Sequence, residues 1–260
     1  MRIVVLAKPV PDTTGQERLG ADLRVDRAGS PAVVNGNDEY ALEAALKLRE
    51  AIGEGTVTLL AMAPANAPEA LRKALAMGAD RGVLISDPAL AGSDALTTAR
   101  VLAAALGRLE FDLVLAGADS SDGGTGTVTP AIAALTGLPY LSYAARIEPA
   151  GARIRVRRIS PVGYDLIEAP LPALIVATQA LGEPRYPSLR GIMAARTKEI
   201  ASWTLADLGI DPATVGPAAA TNRVVEALTP PSRGAARLVR EPAPAAAAEI
   251  VAFLAERRII

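Results

Sequence analysis

The chain contains no cysteine and no histidine. Without cysteine there are no disulfides, no thiolate nucleophiles and no cysteine-ligated zinc or iron–sulfur centres. Without histidine the commonest general base is gone, and with it the Ser-His-Asp triad and nearly every zinc-enzyme site. Any catalysis falls to carboxylates, Lys, Tyr or a bound cofactor. Aromatic residues make up 3% of the chain, too few for base-stacking platforms. A formal net charge of −1 leaves no general basic surface for DNA or RNA. No run of about 18 apolar residues is present, so membrane insertion is not expected. The opening MRIVVLAKPVPD lacks the long apolar region and cleavage site of a secretory signal. The expected location is therefore the cytoplasm, or the mitochondrial matrix for a eukaryotic source.

What is abundant is aliphatic. Half of the 260 residues are hydrophobic, enough to bury a substantial core in one large α/β domain or two small ones. Residues Arg2 to Ala7 read as a strand buried on both faces, which the prolines of Lys8 to Asp12 terminate. Lys8 then sits at the carboxyl end of that strand, where it holds a phosphate, pairs with an acid or is simply solvated. Thr13 to Val34 reads as a hairpin or extended loop around 26–30. Asn37 or Asp38 caps a helix that carries Leu42, Ala45, Leu46 and Ile52 and stops before Gly53. A strand at Thr56 to Met62, a helix at Glu69 to Met77, a strand at Gly82 to Ser86 and a helix at Asp94 to Leu106, capped by Ser93, follow. This alternation predicts a doubly wound, mostly parallel sheet. Tyr140 to Glu148, Arg153 to Ile159 and Gly163 to Glu168 predict a small antiparallel meander with arginines on its wet face. Pro172 to Thr178 is expected as the last strand of the main sheet, and Trp203 to Ile210 as a short helix ending at Gly209. The predicted division is a nucleotide-binding domain over 1–210 and an extended C-terminal arm over 211–260. The arm has β-like pieces at Arg223 to Val225 and Arg237 to Val239, and a final helix turning Ile250, Val251 and Leu254 inward, and it is expected to pack on the parent domain or on a partner subunit.

The stretch from Phe111 to Gly137 reads as strand, polar glycine-rich loop and helix. In α/β folds such a loop, feeding a helix N-terminus, is where nucleotides bind. Asp119, Ser120, Ser121 and Asp122 offer acceptors and hydroxyls, while Gly123, Gly124 and Gly126 allow close approach and positive φ. There is no G-x-G-x-x-G and no Walker A lysine, and the other reading is a connection rich in turn formers. A second stretch, Gln179 to Lys198, combines Gly182, Pro184 and Pro187 with Tyr186, Leu189, Ile192 and Met193 on a basic background. It is either a docking segment for an acidic partner or a helix with Ile192 and Met193 packed inward.

Several segments together resemble one family, the β subunit of electron transfer flavoproteins. RIVVLAKPVPDT is similar to its first strand and loop. VNGNDEYALEAALKLRE resembles its Asn-Pro-x-Asp-Glu-x-Ala-x-Glu-x-Ala motif: Asn35, Asp38, Glu39, Ala41 and Glu43 match, and Gly36 replaces the usual proline. LRKALAMGADRG, DLVLAGADSSDGGTGTV, LGEPRYPSLRGIMAARTK and the Pro230 to Arg233 segment complete the likeness. The resemblance implies a heterodimer with an α subunit that holds most of one redox FAD. It also implies electrons taken from flavin dehydrogenases such as acyl-CoA dehydrogenases and passed to a membrane quinone reductase or another acceptor, with no catalysis by this chain alone. It implies a non-redox AMP held by Leu6, Asn35, Gly36, Asn37, Asp38, Met62, Gly117, Asp119, Ser120, Ser121, Asp122, Gly123, Gly124, Thr125 and Gly126. It further implies a partner-recognition segment with Glu183, Pro184, Arg185, Tyr186, Ile192 and Met193 around a Leu189 anchor. The loop lacks the Asp-Gly-Asp-Thr-Ala-Gln-Val-Gly run of bifurcating members, which hold a second redox FAD in this pocket. A bifurcating subunit and an adenine-nucleotide-binding regulator of the same fold are the alternatives.

Overall fold

The computed structural model describes residues 1–12, 14, 18–27, 31–228, 234, 236 and 238–260. The chain runs β1 (Arg2–Leu6), β2 (Pro9–Pro11), β3 (Ala32–Val34), α1 (Gly36–Ile52), β4 (Thr56–Met62), α2 (Pro68–Met77), β5 (Arg81–Ile85), α3 (Ala95–Leu106) and β6 (Leu113–Gly117). It continues through α4 (Val128–Thr136), β7 (Tyr140–Ala150), β8 (Arg153–Ser160), β9 (Gly163–Pro170), β10 (Ala173–Ala177), α5 (Leu189–Ala195), β11 (Ile200–Trp203), α6 (Leu205–Leu208), α7 (Gly216–Ala219) and α8 (Ala243–Glu256).

A nine-stranded sheet has the order β11-β5-β4-β1-β6-β10-β7-β8-β9. Pairing is parallel from β11 to β7 and antiparallel across β7, β8 and β9. The doubly wound α/β class with an antiparallel meander is therefore the observed one, and the meander prolongs the parallel sheet at one edge. The chain winds from β1 outward to β4 and β5, then returns to place β6 on the other side of β1. That reversal creates a crevice at the carboxyl ends of β1 and β6, the usual ligand position in open α/β sheets. Alternation along the strands feeds two cores: Ile3, Val5, Leu113 and Leu115 face α1 and α2, whereas Val4, Leu6, Val114 and Ala116 face α3 and α4.

Several local expectations are corrected. The prolines end β1, but Pro9–Pro11 then pairs with β3 in a two-stranded antiparallel sheet, an edge position where a missing N–H is tolerated. Helix α1 begins at Gly36 with Asn35 at its N-cap and no side-chain cap bond, so neither Asn37 nor Asp38 caps it. Asp94, not Ser93, caps α3, its carboxylate accepting the Thr97 N–H. Strand β10 lies inside the sheet and is not its last member, because β11, which includes Trp203, pairs later with β5. Contact density separates Met1–Val224 from Val225–Ile260. Arg223 to Val225 is not a strand. Within this chain no residue of α8 is buried, and Ile250 and Val251 are exposed. Part of the expected turn at 26–30, the Pro230 to Arg233 segment and Arg237 lie outside the described residues. Among the described residues no helix is long and apolar enough to cross a membrane.

Candidate nucleotide cavity and docking segment

A cavity of about 310 Å³ opens at the carboxyl ends of β1, β4 and β6. Its floor is apolar, from Leu6, Ala7, Leu60, Met62 and Ala116, and its rim is polar. Of the residues expected there, Leu6, Asn35, Asp38, Met62, Gly117, Asp119, Ser120, Gly123, Thr125 and Gly126 line it, whereas Gly36, Asn37, Ser121, Asp122 and Gly124 do not. The second group builds the rim from behind. Asn35 donates to the Asp119 carbonyl at 2.7 Å and accepts the Ser121 N–H at 3.2 Å. Asn37 donates to the Asp119 carboxylate. Gly36 opens α1, and Gly124, at φ +56°, turns the loop in the left-handed region that favours glycine.

Asp122 is not on the cavity lining but is the buried centre of an ion-pair cluster whose two cations, Lys8 and Arg27, do line it. Its side chain is 1% exposed and accepts from Lys8 Nζ at 2.7 Å and from the Arg27 guanidinium at 2.6 and 2.8 Å. Burial alone would raise this carboxyl, but the Lys8 and Arg27 bonds and charges outweigh it and hold it below the usual carboxylate range. Of the roles open to Lys8 in the sequence, pairing with an acid is the observed one, and its ammonium also reaches Ser120 Oγ at 3.0 Å. Asp38 behaves in the opposite way. Burial pushes its carboxyl up to about 7, against the pull of N–H bonds from Lys8 at 2.8 Å and Gly117 at 3.2 Å. Near neutral pH Asp122 is thus charge-paired, whereas Asp38 is poised between its neutral and charged forms. Helix α4 points its N-terminus at the cavity through Val128 and Thr129, with no side-chain cap at Thr127. Free N–H groups and the positive end of the helix dipole suit an anion there. An apolar floor, a glycine loop, two cations and an uncapped helix start fit a nucleotide phosphate and base. The volume lies at the small end of the ~300–1,000 Å³ typical of ligand pockets.

Sequence reasoning missed Arg27, Ser93, Asp94, Thr98, Val128 and Thr129 on the cavity wall. The Ser93-Asp94 pair was legible as a strand-to-helix turn neighbouring the loop in a doubly wound fold. Arg27 gave no local signal, because its partner lies 95 positions away.

The candidate docking segment lies on the α1 and α2 side. Ser188 caps α5 by accepting the Gly191 N–H at 3.0 Å. Helix α5 meets α2 through its small residues. Gly191 comes so close to the Ala76 carbonyl that a Cβ would sit 2.3 Å from the oxygen, and Ala195 is buried. Arg72 donates to the Ala195 and Lys198 carbonyls, both at 2.6 Å, and Lys198 Nζ to those of Leu75 and Ala79. Because Gly191 and Ala195 share the packed face, the large side chains point outward. Tyr186 is 95% exposed and Leu189 77%, with Ile192 and Met193 exposed beside them, so the reading with the last two packed inward does not hold. Glu183 is exposed and Pro184 is half-buried. Arg185 turns back onto α1.

The profile described as "Electron transfer flavoprotein domain" matches residues 22–208. The chain is 37% identical over its whole length to a protein of Clostridium acetobutylicum named electron transfer flavoprotein subunit beta, which is itself fully covered. It is 40% identical to the protein of the same name from Mycobacterium bovis, with 99% of each chain aligned. It is also 37% identical to the caffeyl-CoA reductase-Etf complex subunit CarD of Acetobacterium woodii, with 92% of each covered.

Proposed function

This chain belongs to the electron transfer flavoprotein family as a β subunit, and on that premise we propose that it is the scaffold and docking half of a soluble electron carrier. It pairs with an α subunit, grips AMP in the cavity below the Phe111 to Gly137 stretch, and presents the Glu183 to Met193 segment to flavin dehydrogenases. The FAD, held mainly by the α subunit and shared with this chain, supplies the redox chemistry when bound. Electrons pass through it to a quinone reductase or another acceptor. This chain contributes no acid, base or nucleophile to a reaction, in keeping with its lack of histidine and cysteine. A flavin carrier needs none, since the cofactor performs the chemistry.

The observation that carries this reading is the pinned segment with large apolar side chains turned to solvent, on the same subunit as the polar-rimmed cavity. Exposed apolar anchors on a rigid base are what a protein interface requires. The Acetobacterium relative named as part of a caffeyl-CoA reductase complex supports a CoA-thioester oxidoreductase as the kind of partner. For AMP, Leu6 and Met62 would flank the base, while Gly123, Thr125, Gly126 and the α4 N-terminus would take the phosphate beside Lys8 and Arg27.

Reconstitution tests the proposal. Mixed with its α subunit and FAD, the chain should form a one-to-one yellow complex that an acyl-CoA dehydrogenase from the same source reduces in the presence of its acyl-CoA. Alone, the chain should be colourless and inert to the dehydrogenase. A chain that binds redox-active flavin by itself, or a complex the dehydrogenase cannot reduce, would refute this assignment.

A further inference from the structure

Between Gly182 and Ala194 no residue is buried; Leu181, just ahead of this stretch, packs half-buried against the core, but hydrophobic packing does not fix the first half of the docking segment, Glu183 to Ser188. Pro184 and Pro187 carry no amide hydrogen. What ties this half to the body is Arg185, which makes five hydrogen bonds to two carboxylates of α1. Its backbone N–H donates to Glu43 Oε2 at 3.1 Å. Its Nε donates to the same oxygen at 2.8 Å, and one terminal nitrogen donates to Glu43 Oε1 at 3.1 Å. Glu50 receives both terminal nitrogens, at 2.5 and 3.0 Å. The Glu43 side chain is 5% exposed, an unusual depth for an acid. Lys47 also approaches it, at 3.6 Å. The planar fork of Arg185 matches two carboxylates at once, which a lysine ammonium cannot reproduce.

We propose that Arg185 is a positioning residue whose clamp by Glu43 and Glu50 sets the pose of Tyr186 and Leu189, so that affinity for the dehydrogenase is encoded partly on α1. The inference rests on the docking reading above and adds a residue that never touches the partner. Arg185 is not a free cation of the recognition surface, because both acids neutralise it. The second half of the segment is held separately, by Gly191 and Ala195 against α2. Loss of the clamp therefore frees the Glu183 to Ser188 stretch and leaves α5 in place.

The test uses the full α/β complex with three variants, Arg185→Met, Arg185→Lys and Leu189→Ala, and an acyl-CoA dehydrogenase from the same source. Arg185→Met should raise the KM for the complex about tenfold, with kcat, FAD content and reduction by dithionite unchanged. Amide exchange at 185–189 should accelerate at least tenfold, with little change at 191–195. Arg185→Lys should recover only part of both effects. Combined with Leu189→Ala, Arg185→Met should add little, because a segment without its anchor gains nothing from being posed. Unchanged exchange and KM in Arg185→Met, with a raised KM in Leu189→Ala, would overturn the positioning role and leave docking standing. Full additivity of the two substitutions would overturn it as well. If Leu189→Ala also leaves KM unchanged, the docking reading fails, and amide exchange alone then decides whether Arg185 orders the segment. If Arg185→Met does not assemble, Glu50→Gln, at the exposed half of the clamp, should show the same signs at smaller size; wild-type exchange and KM in that variant would overturn the proposal.

Discussion

Leu189→Ala should slow electron transfer from the dehydrogenase by about 30-fold in kcat/KM while leaving the fold and the nucleotides of the complex intact. Leu189 is the first residue of α5 and is 77% exposed. Truncating such a side chain changes the free protein by about 0.5 kcal/mol or less. At an interface, an apolar anchor that fills a pocket contributes about 2 kcal/mol or more, and ~1.4 kcal/mol is tenfold. Stability and docking are therefore separable at this position. Melting temperature, flavin absorbance and reduction by dithionite serve as controls, and stopped-flow reduction by the dehydrogenase is the readout. Wild-type transfer rates in Leu189→Ala would remove the docking role from this segment.

Gly117→Ala should damage the cavity more than any other single methyl added to the loop. Gly117 ends β6 and has no positive φ, so alanine is acceptable to the backbone there. The obstacle is space. A Cβ would lie 2.5 Å from Asp38 Oδ1 and 2.7 Å from the Asn37 carbonyl carbon. The start of α1 would have to retreat from β6, breaking the Gly117 N–H bond to Asp38 and shifting Asn35 away from Asp119 and Ser121. Overpacking of this kind costs about 3 kcal/mol, which in a chain of this size lowers Tm by about 10 °C. The complex should also lose most of its AMP. Gly124→Ala is the control: its φ of +56° strains an alanine, but nothing lies within 4 Å of the new methyl, so about 1 kcal/mol is expected. Equal Tm and nucleotide content in Gly117→Ala and wild type would show that α1 and β6 tolerate a wider gap.

Much of this architecture was legible because its signals are local. Strand β4 occupies the expected Thr56–Met62, and α1 ends at a left-handed Gly53 that donates back to the Arg49 carbonyl, as a glycine stop requires. The glycine loop was legible for the same reason, since strand, turn formers and helix follow one another in sequence. What stayed hidden depends on partners far along the chain. Asp122 looked like a phosphate-loop acid and is instead the buried counter-ion of Lys8 and Arg27. Asn35 satisfies a loop 84 and 86 positions away instead of capping its own helix. Helix α5 inverts the usual rule that large apolar residues mark the buried face. Its close approach to the Ala76 carbonyl selects Gly191 and Ala195 for that face and leaves Leu189, Ile192 and Met193 outside.

The most direct test of the central claim is a nucleotide count. The chain is co-purified with its α subunit, the complex is denatured, and the released nucleotides are separated and quantified against protein. One FAD and one AMP per heterodimer is the predicted result, with flavin held mainly by the partner and AMP in the cavity between β1 and β6. Two FAD and no AMP would contradict it and make the cavity a second redox site, as in a bifurcating complex.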